Sequence, residues 1–399
     1  MSETHGDYQK LIYTNGMHHS LQPRVTTDPR LLEAQARQAL NKQSFDYIRG
    51  GAGGKGTMIR NRRAFDQWML VPRMLATSTV DLSTTLFGQK YPSPILMAPI
   101  GVQSLAHPDK EPGLAEVCSS LDVPYIMSSA ANSSFEAVTE ASGLGKRWYQ
   151  LYWPKDNDIT LSLLERAHQN GFDVLVVTLD TWSLAWRPAD LDNGFLPFLA
   201  GNGTEFGLSD PVFQGKYKDK TGYSVQEDTI GASKEWMSQI VGQNHTWDEV
   251  AFLRKAWNGP LILKGIQCAQ DAQAALTHGC DGIVVSNHGG RQLDGAVGSL
   301  DVLPEIADAV GSKMAVLFDS GIRTGSDIIK ALALGAHAVL VGRPVMYGYA
   351  INGKLGAKAV LEGLLADLHL SMATAGIPSI SACNRDVLRK MPEARDMKL

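Results

Sequence analysis

Among the ten histidines, His288 stands out because it follows an apolar run and sits among glycines and polar residues, in Ser286-Asn287-His288-Gly289-Gly290-Arg291. An imidazole titrates near neutral pH and so can take up or return a proton, and a carboxylate partner would fix its tautomer and stabilise its protonated form. Asp180, at the end of another apolar run, is the candidate partner. Arg187, seven residues past Asp180, and Arg291, three past His288, add two guanidiniums. Such a pair can clamp one carboxylate through paired, charge-assisted hydrogen bonds, although each arginine alone could equally be a surface ion pair. Together they imply a small anionic substrate.

Asp319-Ser320-Gly321-Ile322-Arg323 and Val341-Gly342-Arg343-Pro344 are two further glycine–arginine turns after apolar runs. Backbone N–H groups at helix N-termini, with arginine adding charge, bind phosphate, so these turns point to a phosphorylated ligand or cofactor. Lys264 ends the apolar run PLILKG. It could form a Schiff base or hold negative charge that develops on a cofactor, and spacing does not choose between them.

These residues share one kind of position. From residue 93 onward, eight short runs rich in Val, Ile and Leu alternate with helix-like stretches: 93–100, 124–130, 147–152, 173–180, 260–265, 282–288, 315–321 and 338–343. Runs this apolar suit strands buried on both faces, and intervening helices imply a parallel sheet. Eight of them predict a closed (β/α)8 TIM barrel, in which the C-terminal strand ends, including Gln150-Leu151-Tyr152 and Thr178-Leu179-Asp180, converge on one mouth.

The rest of the chain is arranged around that barrel as one domain. Residues 1–92 form an N-terminal extension with an amphipathic helix predicted over 30–49, the barrel spans 93–375 with a last long helix over about 356–376, and 376–399 are a tail. Between the fourth and fifth runs, 181–259 is far longer than an ordinary connection, and its centre, 190–245, reads as an irregular, mobile lid. The stretch Gly51-Ala52-Gly53-Gly54-Lys55-Gly56 satisfies G-x-G-x-x-G but follows a helical segment, so it reads as a helix stop and turn, not a dinucleotide fingerprint.

Composition sets outer bounds. The chain has 399 residues, 44% hydrophobic and 20% charged, with a net charge of −4 and no basic run that would neutralise nucleic-acid phosphates. Its four cysteines lack C-x-x-C spacing, which argues for reduced thiols and against a structural zinc site; no metal is expected. No apolar stretch is long enough for a membrane helix, and the start lacks a secretory signal, so a cytoplasmic protein is expected. Met397-Lys398-Leu399 loosely resembles a peroxisomal address.

The strings YQLY, TLDTW, LKGI, SNHGGRQLDG and FDSGIRTGSDIIKALALGA…VGRP, in this order over about 30–375, resemble the FMN-dependent 2-hydroxy-acid oxidase and dehydrogenase family. GDYQKLIY, MAPIGV, LDTWSLAWRPADL and FLPFL…DPVF are most similar to its lactate 2-monooxygenase branch. The resemblance implies that Tyr47, Arg187 and Arg291 hold the substrate carboxylate, that Tyr152 is a second active-site tyrosine, and that His288 is the base with Asp180 as its partner. It implies FMN contacts at Pro99, Ile100, Gly101, Ser128, Gln150, Thr178, Lys264 and Ser286, with the phosphate at Asp319, Gly321, Arg323, Gly342 and Arg343. Many oxidases of the family carry alanine where this chain has Gly101.

The implied reaction is oxidation of a small L-2-hydroxy acid, L-lactate foremost, with O2 as acceptor and decarboxylation to acetate, CO2 and water. A simple oxidase that releases keto acid and hydrogen peroxide is the alternative. The first 30 residues are too few for a haem domain, so no built-in cytochrome acceptor is expected, and no apolar basic segment favours a membrane quinone. Tyr152, Trp182 and Trp186 are expected to bound the substrate pocket. A homo-oligomer, tetramer or octamer, is implied by the resemblance alone. From other classes, an isomerase-type barrel and a non-catalytic metabolite-binding barrel are the alternatives.

Overall fold

A computed structural model describes residues 4–76, 79–242 and 244–391. Each of the eight apolar runs contains one strand: β1 (Ile95–Met97), β2 (Tyr125–Ser128), β3 (Arg147–Leu151), β4 (Val174–Thr178), β5 (Leu261–Ile266), β6 (Gly282–Val285), β7 (Ala315–Phe318) and β8 (Ala338–Val341). Neighbours pair in parallel, and β8 returns to β1 through Val339–Ile95, Leu340–Leu96 and Val341–Met97, which closes the barrel. The expected (β/α)8 architecture is the observed one.

Alternation along each strand explains why the polar strand ends converge. Leu96, Ile126, Trp148, Val176, Ile262, Val284, Leu317 and Leu340, one from each strand, form a single apolar cluster inside the barrel. The hairpin Thr84–Leu86/Gln89–Tyr91 closes its floor, with Phe87 and Tyr91 edge-on to Trp148 at 5.9 and 6.3 Å. Because side chains on a strand repeat every two residues, the next inward positions are Ala98, Ser128, Gln150, Thr178, Lys264, Ser286, Asp319 and Gly342. A polar layer thus rests on an apolar plug at the mouth.

Two sequence expectations change. Residues 30–49 are not one helix but two, Leu32–Ala39 and Lys42–Arg49, because Leu40 turns extended and the Asn41 side chain caps the second by accepting from Ser44 N. The last long helix lies where it is expected, from just after a break at Asn352 and Gly353 to Ala375, and a shorter helical stretch from Arg343 leads into the break. The insertion is not irregular: it contains helices Pro188–Asp192, Glu205–Ser209, Pro211–Thr221, Thr229–Ile240 and Val250–Ala256. Asp210 and Asp228 cap two of them by accepting from Phe213 N and Gly231 N, both at 2.9 Å. Fully buried Phe206, Phe213 and Trp236 give the insertion its own apolar centre.

The glycine-rich 51–56 segment ends one helix and opens Gly56–Asp66. Its amides are already engaged: the Asp294 carboxylate accepts from Gly54 N at 2.6 Å and Thr57 N at 3.2 Å, which fits a structural turn. The strand Trp68–Leu70 pairs antiparallel with Leu388–Lys390, joining the extension to the tail. No described helix is long and apolar enough to cross a membrane. Met397-Lys398-Leu399 lies outside the described residues.

Candidate active site

The barrel mouth opens into a cavity that is connected to solvent. Tyr47, Pro99, Ile100, Gly101, Tyr152, Arg187, Lys264, His288, Arg291, Asp319, Gly321, Arg323, Gly342 and Arg343 all face it. Asp180, Ser128, Gln150 and Ser286 lie just behind, each bonded to a neighbour in the polar layer or to His288. Thr178, at the end of β4, pairs in register with Lys264 on β5.

His288 Nδ1 lies 2.8 Å from Asp180 Oδ1. With the carboxylate on Nδ1, the proton belongs on that nitrogen, and Nε2 is left as the free base. Thr181 Oγ1 donates to the same carboxylate oxygen at 2.9 Å and lies 3.1 Å from Nδ1. Burial lowers the His288 pKa, aided by Lys264 and Arg187 and opposed by Asp180, so the imidazole is held below its ordinary value. Burial pushes the Asp180 pKa up, but His288 and Lys264 outweigh it and bring the carboxyl to about 2. His288 adopts a left-handed φ of +59°, which costs a non-glycine residue about 1–3 kcal/mol. The strain is held because His288 N donates to Ser286 Oγ and Gly289 N to Ser320 Oγ, both at 3.0 Å.

A bulge after Lys264 brings β5 against this pair. Gly265 has φ +110°, and a Cβ there would stand 3.0 Å from Asp180 Cβ, so glycine is what lets the carboxylate close on the histidine.

Arg187 is buried, donates from Nε to Arg291 O at 3.0 Å, and is gripped at its other end by Gln292 Oε1. Arg291 donates to Tyr47 O and Gly50 O at 2.7 and 2.9 Å, with its guanidinium 5.2 Å from the Tyr47 ring centre. Arg343 donates to Ile48 O, Gly289 O and Gly50 O at 3.1, 2.9 and 2.8 Å. Three of these acceptors, Tyr47, Ile48 and Gly50, are carbonyls at the C-terminal end of helix Lys42–Arg49, the negative end of its dipole. That helix holds two cations at the mouth and places Tyr47 beside them. Burial lowers Arg187 to about 10 and Arg343 to about 9, so both stay cationic at neutral pH. Burial also raises the Tyr47 phenol and pushes Tyr152 up to about 12, which keeps both as neutral O–H donors.

Lys264 Nζ donates to Ser286 Oγ at 3.0 Å and lies 3.3 Å from Asp319 Oδ2. Burial works against its charge, but Asp319 and Asp180 raise its pKa, leaving a buried ammonium. A lysine so paired is a charge, not a free amine nucleophile, so the electrostatic alternative is the one this geometry favours.

One buried atom shows that the polar layer has room for a further partner. Gln150 Nε2 has no hydrogen-bond partner, although Gln150 Oε1 accepts from Ser128 Oγ at 2.9 Å. A ring carbonyl set on the layer would satisfy that N–H, while Arg323, Arg343 and the turns at Gly321 and Gly342 stand ready for a phosphate. These residues fit FMN.

The structure also shows what sequence reasoning missed. Trp182 and Trp186 do not bound the pocket: they are 53% and 74% exposed and absent from its lining. Phe198, Met237, Ile240 and Val241 of the insertion line it instead. Thr181 and Gln292 each lie next to a motif residue, and that adjacency was the available signal.

Comparison with known proteins places this geometry in a class. Residues 36–390 match the FMN-dependent dehydrogenase family, and the chain belongs to that family; FMN is its cofactor. The chain is 56% identical over 394 residues to the FMN-dependent alpha-hydroxy acid dehydrogenase qulF of Penicillium citrinum, covering 98% of each. It is 39% identical over 361 residues to an L-lactate oxidase of Lysinibacillus sphaericus, covering 90% of this chain and 92% of the relative. Among solved structures, mandelate oxidase superposes with a TM-score of 0.78 at 35% identity, covering 91% of this chain and 98% of that one.

Proposed function

We propose that this enzyme oxidises an L-2-hydroxy acid to the 2-keto acid with O2 as the final acceptor. FMN bound on the polar layer supplies a two-electron acceptor for the substrate's α-hydrogen. The observation that carries the reading is that His288, paired with Asp180 at 2.8 Å, faces the same cavity as Arg187 and Arg291.

In this reading Arg187, Arg291 and Tyr47 bind the substrate carboxylate, and Tyr152 donates to the α-hydroxyl oxygen. Fixing the acid at three points sets the α-carbon beside His288, and such orientation supplies much of the rate. His288 Nε2 takes a proton, from the α-carbon or from the hydroxyl, while Asp180 stabilises the resulting imidazolium. Lys264 offsets negative charge that accumulates on the reduced cofactor, a contribution that preorganised groups make at about 3–4 kcal/mol.

The finer outcome we propose is the decarboxylating one, R–CH(OH)–COOH + O2 giving R–COOH, CO2 and H2O, which for L-lactate is acetate. Its support is the apolar wall that the insertion gives the cavity, together with Gly101, a glycine where many oxidases of the family carry alanine and where it resembles the monooxygenase and some dehydrogenases. Release of keto acid and H2O2 is the second reading, favoured by the name of the L-lactate oxidase relative. Four free cysteines accord with a cytoplasmic enzyme, and a homo-oligomer is proposed from the family likeness. The test is anaerobic reduction of the yellow protein by L-2-hydroxy acids, then product analysis after O2 is admitted. One CO2 per O2 supports the monooxygenase outcome, stoichiometric keto acid and peroxide the oxidase, and no bleaching by any acid overturns the proposal.

A further inference from the structure

The insertion gives the cavity one wall of uniform chemistry. Apart from Thr181 and Arg187, each residue of 181–259 that faces it is apolar: Leu184, Phe198, Met237, Ile240 and Val241. Phe198 joins Val102 and Ala130 in a small apolar cluster, against which Met237, Tyr47 and Tyr152 pack. This wall therefore adjoins the two tyrosines assigned to the substrate's polar end.

An L-2-hydroxy acid has four substituents on its α-carbon. In the proposed function, which this inference extends, the carboxylate goes to Arg187, Arg291 and Tyr47. The hydroxyl goes to Tyr152 and His288, and the hydrogen faces the cofactor. The fourth substituent is left for the insertion wall, which offers neither hydrogen bond nor charge. We infer that this wall is a side-chain subsite for a bulky apolar group, branched alkyl or arylmethyl, and that Met237 and Phe198 determine specificity there.

Two physical arguments set the size and polarity. A methyl group cannot touch five apolar side chains drawn from three parts of the insertion, and a wall left uncovered contributes no binding energy. A polar or second acidic group on the side chain would be stripped of water with nothing in return. Met237, unbranched and polarizable, adapts to several apolar shapes.

The test is anaerobic stopped-flow reduction of the FMN holoenzyme by L-lactate, L-2-hydroxyisocaproate, L-3-phenyllactate and L-malate. A buried methylene is worth roughly tenfold or more in such a pocket. The expected result is a reduction efficiency at least tenfold greater for the isocaproate or phenyllactate than for L-lactate, with malate slowest. L-lactate equal to or faster than both, or malate faster than either, would overturn the inference while leaving the oxidation chemistry intact; no reduction by any acid would remove the underlying reading instead. Met237→Ala and Phe198→Ala should narrow the ratio of phenyllactate to lactate efficiency by about tenfold, mainly through KM. Retained flavin absorbance shows that the variants are folded and loaded, and an unchanged ratio in both would overturn the assignment of these residues.

Discussion

Asp180 and His288 lie in the loops after β4 and β6 and meet at 2.8 Å across the strand that carries Lys264. The carboxylate has a second oxygen, Oδ2, buried without a partner, so its field is directed largely at the imidazole and the nearby ammonium. Asp180→Asn keeps the shape but removes the charge and the tautomer control. We expect kcat to fall about 10³-fold or more, with flavin absorbance and FMN content unchanged. Loss of less than tenfold in stopped-flow reduction would show that the pair is structural.

The pH dependence follows from the direction of the His288 shift. Only neutral His288 can accept a proton, and its pKa lies below the ordinary 6.5 because burial, Lys264 and Arg187 outweigh Asp180. The acid limb of kcat/KM should therefore fall below pH 6.5, with activity full above it. In Asp180→Asn the residual limb should move lower still, because the contribution that raises the pKa is gone. A wild-type limb centred above pH 6.5 would contradict the assignment.

Arg343 and Arg291 should separate by ligand. Arg343→Ala should weaken FMN binding by about 10–100-fold, the scale of one charged hydrogen-bonding partner, with reduction of the loaded fraction little changed. Arg291→Ala should raise the KM for substrate by a similar factor while retaining FMN. Fluorescence titration of the apoprotein and steady-state kinetics distinguish them, and interchanged defects would reverse the two ends of the site.

Gly101 tests packing at the loop after β1. An added Cβ would stand 2.5 Å from Ala130 Cβ and 2.6 Å from Ala130 O, and that carbonyl already accepts from Val102 N at 2.8 Å. Gly101→Ala should cost about 1–3 kcal/mol of stability, the usual range for overpacking. Adding Ala130→Gly should recover only part of it, because the carbonyl stays in place. Thermal unfolding of the FMN-loaded variants is the measurement.

The barrel was legible in the sequence because strands buried on both faces need unbroken apolar runs, and each of the eight could be counted. Most site residues were legible for a related reason: an inward polar residue two positions beyond an apolar one breaks the run visibly, as Lys264 and Asp319 do. The helix pair at 32–49 was misread because its apolar spacing continues across Leu40, although Asn41 and Ser44 carried a capping signal. The insertion misled through composition. Its glycines and prolines mark the ends of short helices, as at Pro211 and Gly222, and so resemble disorder when averaged over a window. The exposure of Trp182 and Trp186 had no signal at all, since an aromatic residue beside a motif looks the same whether it turns inward or out.

Gly50 O accepts from both Arg291, at 2.9 Å, and Arg343, at 2.8 Å. One peptide group thus links the two anion-seeking ends. Occupancy becomes mutual information: whatever factor a bound nucleotide adds to affinity for an acid, the acid returns to the nucleotide. Where that factor exceeds one, a dead-end carboxylate inhibitor slows the escape of flavin from the enzyme.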